Sequence, residues 1–197
     1  MIRFLPLLFT CMVACAPSGW VTDTPTSYQN SSIFVPGIDA GVVSFRTEAL
    51  SEPVATRFVT SEADSVLRLL VTRTLRVPDP RFRDARPVFS YAESDYSIRI
   101  TGIEIRDSRN PLHKLVKNGP VIVIQVGADV YRGEDLVFRS RSSHVANLAA
   151  LASTEPGYHK ADESERNDPS LQRAMVLNAY YSAAGDILMS FFQVNQN

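Results

Sequence analysis

A chain of 197 residues is long enough for one domain with a terminal extension. Its formal charge of -1 supplies no positive field of the kind nucleic-acid binding rests on, so no nucleic-acid partner is expected. With 45% hydrophobic residues, a mean hydropathy of -0.05 and no run of about 18 apolar residues, the composition is globular and excludes a mature membrane-spanning helix.

In chain order, Arg3 supplies one positive charge, and residues 4–13 (FLPLLFTCMV) form an apolar run of signal-peptide length, too short to span a bilayer. Cys11 and Cys15 are the only cysteines, and Cys11 lies inside the segment expected to be removed, so no intrachain disulfide is expected. The end of the run, Met12-Val13-Ala14-Cys15, resembles the bacterial lipobox, in which small residues precede a cysteine that is acylated before cleavage. The resemblance implies a signal peptide over 1–14 and lipidation of Cys15 with palmitate-type chains, tethering the protein to the cell envelope. The residues leave open an ordinary signal peptide cut near Ala14 or Ala16 and, as a further alternative, a buried N-terminal helix. Ala16 follows the cysteine where, in enterobacteria, Asp would favour inner-membrane retention, and for a host with two membranes the resemblance implies the periplasmic face of the outer one. Residues 16–32 (APSGWVTDTPTSYQNSS) have no apolar period and read as a flexible tether, which at about 3.3 Å per residue reaches roughly 55 Å.

The domain is expected over 33–197. Residues 41–49 (GVVSFRTEA) read as a first strand. Ser61, with Asp64 three residues on, reads as the start of a helix over 61–77, in which Val66, Leu67, Leu70 and Val71 recur at helical spacing before Pro78. Tyr96, Ile98 and Ile100 alternate, slip at Gly102 and resume at Ile103 and Ile105, the pattern of a strand with a bulge. Asn118-Gly119-Pro120 is a turn signal ahead of the β-prone 121–131 (VIVIQVGADVY), and residues 132–135 (RGED) close a hairpin onto 136–141. Residues 145–152 read as a short helix, 154–168 as an exposed polar loop, and Asp168-Pro169 as the capped start of a final amphipathic helix. The sum is an α+β fold in strand, helix, strands, helix order: an antiparallel sheet with two long helices packed on one face.

These features together, the lipobox, the helix over 61–77, the hairpin over 121–141 and the helix over 169–192, resemble the architecture of small outer-membrane lipoproteins. The YajG-like proteins and the LPS-assembly lipoprotein family are of this kind. The resemblance implies a non-catalytic accessory or scaffolding role in envelope assembly or maintenance, with the membrane and an envelope protein as partners.

The chemistry-bearing residues give no enzyme signature. His113, His144 and His159 lie in or beside polar stretches without a metal-ligand motif; His159 with Glu155, Asp162 and Glu163 reads as a solvated acidic loop. Ser142-Ser143-His144 places hydroxyls near an imidazole, but neighbouring strand residues point to opposite faces. No phosphate-cradling glycine loop occurs, so no cofactor and no metal are expected. Of the 20 basic residues 17 are arginines, whose forks suit carboxylate and phosphate oxygens, although genomic base composition gives the same bias. Arg73, Arg76, Arg81, Arg83 and Arg86 form the one basic cluster, read either as an anion-binding face or as a solvated, dipole-compensating helix end. A small-ligand or lipid-binding module is the alternative function.

Overall fold

The computed structural model describes residues 20–21, 25–110, 120–148 and 162–192. Cys15, the signal segment, the 118–119 part of the turn signal, His113, Glu155 and His159 lie outside them. The elements are β1 (Trp20–Val21), β2 (Ser32–Phe34), β3 (Val43–Arg46), α1 (Glu52–Arg57), α2 (Ala63–Leu75), β4 (Arg86–Val88), β5 (Tyr96–Asp107), β6 (Val121–Arg132), β7 (Asp135–Asn147), α3 (Glu163–Arg166) and α4 (Pro169–Phe192). The class is α+β.

The sheet is mixed rather than antiparallel. Among the described residues it has seven strands in the order β1-β7-β6-β5-β2-β4, with β3 also paired to β5. β5, β6 and β7 are antiparallel, whereas β2 runs parallel to both β4 and β5, and β3 runs parallel to β5. The physical reason is the crossover. α1 and α2 lie between β3 and β5, and a helical crossover returns the chain in the same direction, as a tight hairpin cannot. Two strands, β1 and β2, also precede the expected first strand.

The expected tether is therefore shorter than 16–32. β1 pairs with β7, Trp20 opposite Arg139 and Val21 opposite Phe138. Tyr28 is only 1% exposed: its ring sits 5.0–5.9 Å from Phe82, Tyr96, Phe191 and Phe192, and its hydroxyl donates to the Phe191 carbonyl at 2.9 Å. One large aromatic anchors a stretch whose composition is otherwise that of a linker.

The first helical segment starts earlier than Ser61. α1 begins with Pro53 in its first turn, and a π-helical turn over Phe58–Glu62 joins it to α2. Ser61 is thus inside the helix, its hydroxyl donating back to the Arg57 carbonyl instead of capping. At the π turn, Glu62 is buried with Oε1 accepting from Arg57 at 2.7 Å and Arg173 at 2.5 Å. That junction ties the first helical segment to the last helix.

The bulge stands where the alternation slips. Ile100 pairs with Ala128 and Gly102 with Gly127, leaving Thr101 as the extra residue, so Ile98, Ile103 and Ile105 all face the core. The β6–β7 hairpin turns on Gly133 and Glu134, with Gly133 at φ +60°, the left-handed conformation that favours glycine at the first position of a two-residue loop. β7 continues to Asn147, so residues 145–147 are strand, not the expected helix. Residues 163–166 of the expected loop are helical, because Asp162 and Glu165 form a reciprocal capping box.

α4 opens on Asp168, whose carboxylate accepts from the Ser170 N–H, and on Pro169. It buries adjacent pairs at 175/176, 179/180, 183/184, 187/188 and 191/192. Two neighbouring columns mean two partners: α4 lies across β6 and β7 on one side and against α2 on the other. The core they enclose takes Ile122, Ile124, Val126, Ala128 and Val130 from alternate positions of β6.

Candidate functional site: the open face of the sheet

Among the described residues, alternation leaves the other face of β5, β6 and β7 without a helix, since α4 packs on the opposite face. Its strand positions include Arg99, Glu104 and Arg106 on β5, Gln125, Asp129 and Tyr131 on β6, and Leu136, Arg139, Arg141 and Ser143 on β7, with the apolar Val123 and Val145 in the row of Arg106 and with Ser44 and Arg46 of β3 at register beside Glu104 and Arg106. Polar residues alternate with the buried isoleucines and valines of the same strands, so one periodicity builds both the core and this surface.

Most charge here is paired. Asp129 is buried, and Arg139 grips it with a fork, Nε to Oδ1 at 2.8 Å and Nη2 to Oδ2 at 2.7 Å. The carboxylate beside it raises the Arg139 pKa further above its ordinary value, chiefly through that hydrogen bond. Arg46 lies 3.5 Å from Glu104. Arg99 stacks over Tyr91 and Tyr131 at 5.5 and 4.8 Å from their ring centres.

A depression of ≈ 190 Å³ lies over the bulge, lined by Ser44, Thr101, Gly102, Gln125, Gly127 and Arg141 among others. Gly127 is required by close approach: a Cβ there would stand 2.9 Å from the Thr101 hydroxyl. A second, broader depression lies at the hairpin end, where Asn30, Ser31, Asp95, Arg132, Gly133 and Asp135 meet. In it the Asp95 carboxylate accepts from both the N–H and the hydroxyl of Ser32 at 2.7 Å, which holds its pKa below the usual carboxylate value. Hydroxyl, amide and guanidinium groups line both depressions, and the hydroxyl-to-carboxylate bond found there, Ser32 to Asp95, belongs to a buried hydroxyl that shares its carboxylate with the Ser32 N–H.

The basic cluster expected from the sequence is placed at the end of α2 and along the connection to β4, and neither depression is lined by any of its members. Arg81 is clamped on Asp79, with Nη2 to Oδ2 at 2.6 Å, an ion pair that lowers the aspartate pKa and raises that of the arginine. Arg73 donates to the Tyr181 hydroxyl at 3.3 Å, linking α2 to α4. Arg76 caps α2, Arg83 follows the short 3-10 turn Pro80–Phe82, and Arg86 opens the edge strand β4. Ser142 donates to Asp186 at 3.1 Å, and no hydrogen bond joins it or Ser143 to His144 among the described residues. No group of three potential metal-ligating side chains exists among the described residues.

The arginines of this face that the sequence reading missed are Arg46, Arg99, Arg106, Arg139 and Arg141. Their signal is the polar phase of the strand alternation, Arg99 between Ile98 and Ile100 and Arg139 and Arg141 around Ser140.

No protein-family model matches the chain, and no curated protein matches it. Among solved structures, the chain is similar to a PelC dodecamer from Paraburkholderia phytofirmans, at 14% identity and a TM-score of 0.41 over 91% of this chain and 99% of that one. It is similar also to a neuraminyllactose-binding hemagglutinin homolog from Helicobacter pylori, at 7% identity and a TM-score of 0.40 over 88% of this chain and 90% of that one. A hypothetical protein from Chlamydia trachomatis overlaps at 14% identity and a TM-score of 0.34, covering 84% of this chain and 99% of that one. At such low TM-scores the likenesses carry no functional reading.

Proposed function

We propose that this chain is a lipid-anchored protein of the cell envelope with a non-catalytic accessory or scaffolding role, held by Cys15 on the periplasmic face of the outer membrane. The observation that carries this reading is the N-terminal sequence, an apolar run over 4–13 that ends in Val13-Ala14-Cys15. Anchoring by two or three acyl chains is durable, since each buried methylene contributes about 0.8 kcal/mol and one chain alone binds only marginally.

The folded domain supports the scaffolding part of the reading through the uses of its buried charges. Glu62 and Asp129 are engaged by arginines that fasten elements together. For a protein partner, the helix layer offers Leu69, 44% exposed, and Tyr181, 38% exposed, on the adjoining helices α2 and α4. A second reading, a small-ligand module, is favoured by the polar depression over Gly102 and Gly127.

Palmitate labelling of expressing cells tests the anchor: the unmodified protein takes up label, and Cys15→Ser does not. Label retained by Cys15→Ser, or absent from the unmodified chain, overturns it. A photo-crosslinker at Tyr181 tests the role, with one recurrent envelope protein as the expected product and an unlinked monomer as the contrary result.

A further inference from the structure

The open face of the sheet is basic on a chain that is slightly acidic overall. Five arginines, Arg46, Arg99, Arg106, Arg139 and Arg141, occupy its strand positions against two carboxylates, Glu104 and Asp129, an excess of three positive charges where the whole chain carries -1. Both carboxylates are already engaged, Glu104 by Arg46 and Asp129 by Arg139, and the nearby Asp95 is held by Ser32. Arg99, Arg106 and Arg141 therefore have no carboxylate partner among the described residues. Arg99 is held in place by stacking on Tyr91 and Tyr131, and Arg141 stands at the rim of the depression over the bulge.

The position at which the chain enters the sheet concerns the same face. β1 is the edge strand next to β7, with Trp20 at register with Arg139. Cys15 stands five residues before Trp20, a distance that an extended chain covers in at most about 17 Å. Neighbouring strands are about 4.8 Å apart, so β7, β6 and β5 all lie within roughly 15 Å of β1. A lipid on Cys15 thus keeps the β1 edge of the sheet near the headgroup layer, and of the two faces that meet at this edge the open one carries the arginines without a carboxylate partner.

We propose that the open face of the sheet lies on the anionic headgroups of the membrane that carries the Cys15 anchor, with Arg99, Arg106 and Arg141 meeting lipid phosphates. The proposal rests on the reading that Cys15 is acylated. Charge complementarity selects the occupant: each arginine brought to an anionic surface strengthens apposition about fivefold, an attraction that falls off over a Debye length of about 8 Å at physiological salt and so acts on arginines that lie at the surface itself. The helix layer, with Leu69 and Tyr181, then points away from the membrane.

The acylated mature protein has no free thiol, because Cys11 leaves with the signal and the Cys15 sulfur carries the lipid, so single cysteines report on each face. Ser143→Cys marks the open face and Asn178→Cys the exposed side of α4; both positions are exposed. The acylated variants are reconstituted into vesicles of phosphatidylcholine with 30% phosphatidylglycerol, roughly a physiological anionic fraction, and treated with a charged maleimide. Ser143→Cys is expected to react at least about tenfold more slowly than Asn178→Cys there. The two rates should converge in pure phosphatidylcholine, and also when Arg99, Arg106 and Arg141 are all changed to Gln. Equal rates in the anionic vesicles overturn the proposal. Slow labelling that persists in pure phosphatidylcholine also overturns it, by showing that the face is covered by something other than anionic lipid, such as a second copy of the chain. Mass spectrometry of the purified protein separates the two readings: a chain without acyl groups sinks the anchor and the proposal together, whereas an acylated chain with equal rates sinks the proposal alone.

Discussion

Two buried tyrosines show how a single hydroxyl decides what a side chain contributes. Tyr28 donates to the Phe191 carbonyl at 2.9 Å, whereas the Tyr180 hydroxyl has no hydrogen-bond partner among the described residues. Tyr28→Phe should therefore cost about 1 kcal/mol and Tyr180→Phe almost nothing, since the latter removes a hydroxyl that is desolvated without compensation. Urea unfolding of the two variants checks the contrast; equal losses would contradict it. Burial pushes both phenols above their ordinary pKa. The folded state then keeps a proton that the unfolded chain releases near pH 10, so this stabilisation is complete below about pH 10 and is lost as pH rises beyond it. Alkaline titration of stability should show a steep fall above that value, and Tyr180→Phe should make it shallower.

At the scale of elements, two glycines do opposite things. Gly127 on β6 admits the Thr101 hydroxyl of the bulge, and the Cβ of Gly127→Ala would stand 2.9 Å from it. That change should destabilise by about 1–2 kcal/mol through overpacking. Adding Thr101→Ala should recover most of the loss, because Thr101 is the exposed extra residue of the bulge and its hydroxyl can be removed without opening the core. Double-mutant analysis of unfolding midpoints measures this, and strict additivity would refute it. Gly185 lies inside α4, where a Cβ would make ordinary contact with Leu70 at 3.9 Å. Gly185→Ala should accordingly stabilise by about 0.5–1 kcal/mol, the usual helix-interior gain. A midpoint that falls would mean α4 and α2 are packed too tightly for one methyl group.

For the whole molecule, the orientation of the domain depends on how little chain precedes its first strand. Only residues 16–19 stand between Cys15 and β1, and the next large anchor, Tyr28, is already in the core. Cys15→Ser should remove the lipid without lowering the unfolding free energy of the folded domain, measured in urea, by more than about 0.5 kcal/mol, as expected for a change outside any buried feature. A larger loss would show that the segment around Cys15 packs on the fold.

Sequence alone determined the features whose cause is local. The slip at Gly102, the hairpin at Gly133 and the Asp168-Pro169 helix start can be read from a few neighbouring residues, because side-chain period, left-handed backbone and capping chemistry act over one or two turns of chain. The α+β class follows from the same periods. What the tertiary structure decided depends on residues far apart. Parallel pairing of β2 and β3 with β5 follows from a crossover of about 50 residues, and Ser61 lost its capping role to a π turn that lets Glu62 reach Arg173, 111 positions away. Tyr28 reads as part of a linker until Phe82, Tyr96, Phe191 and Phe192 close around it. The basic face escaped notice for the same reason: its arginines are isolated along the chain, and only the register of four strands sets them side by side.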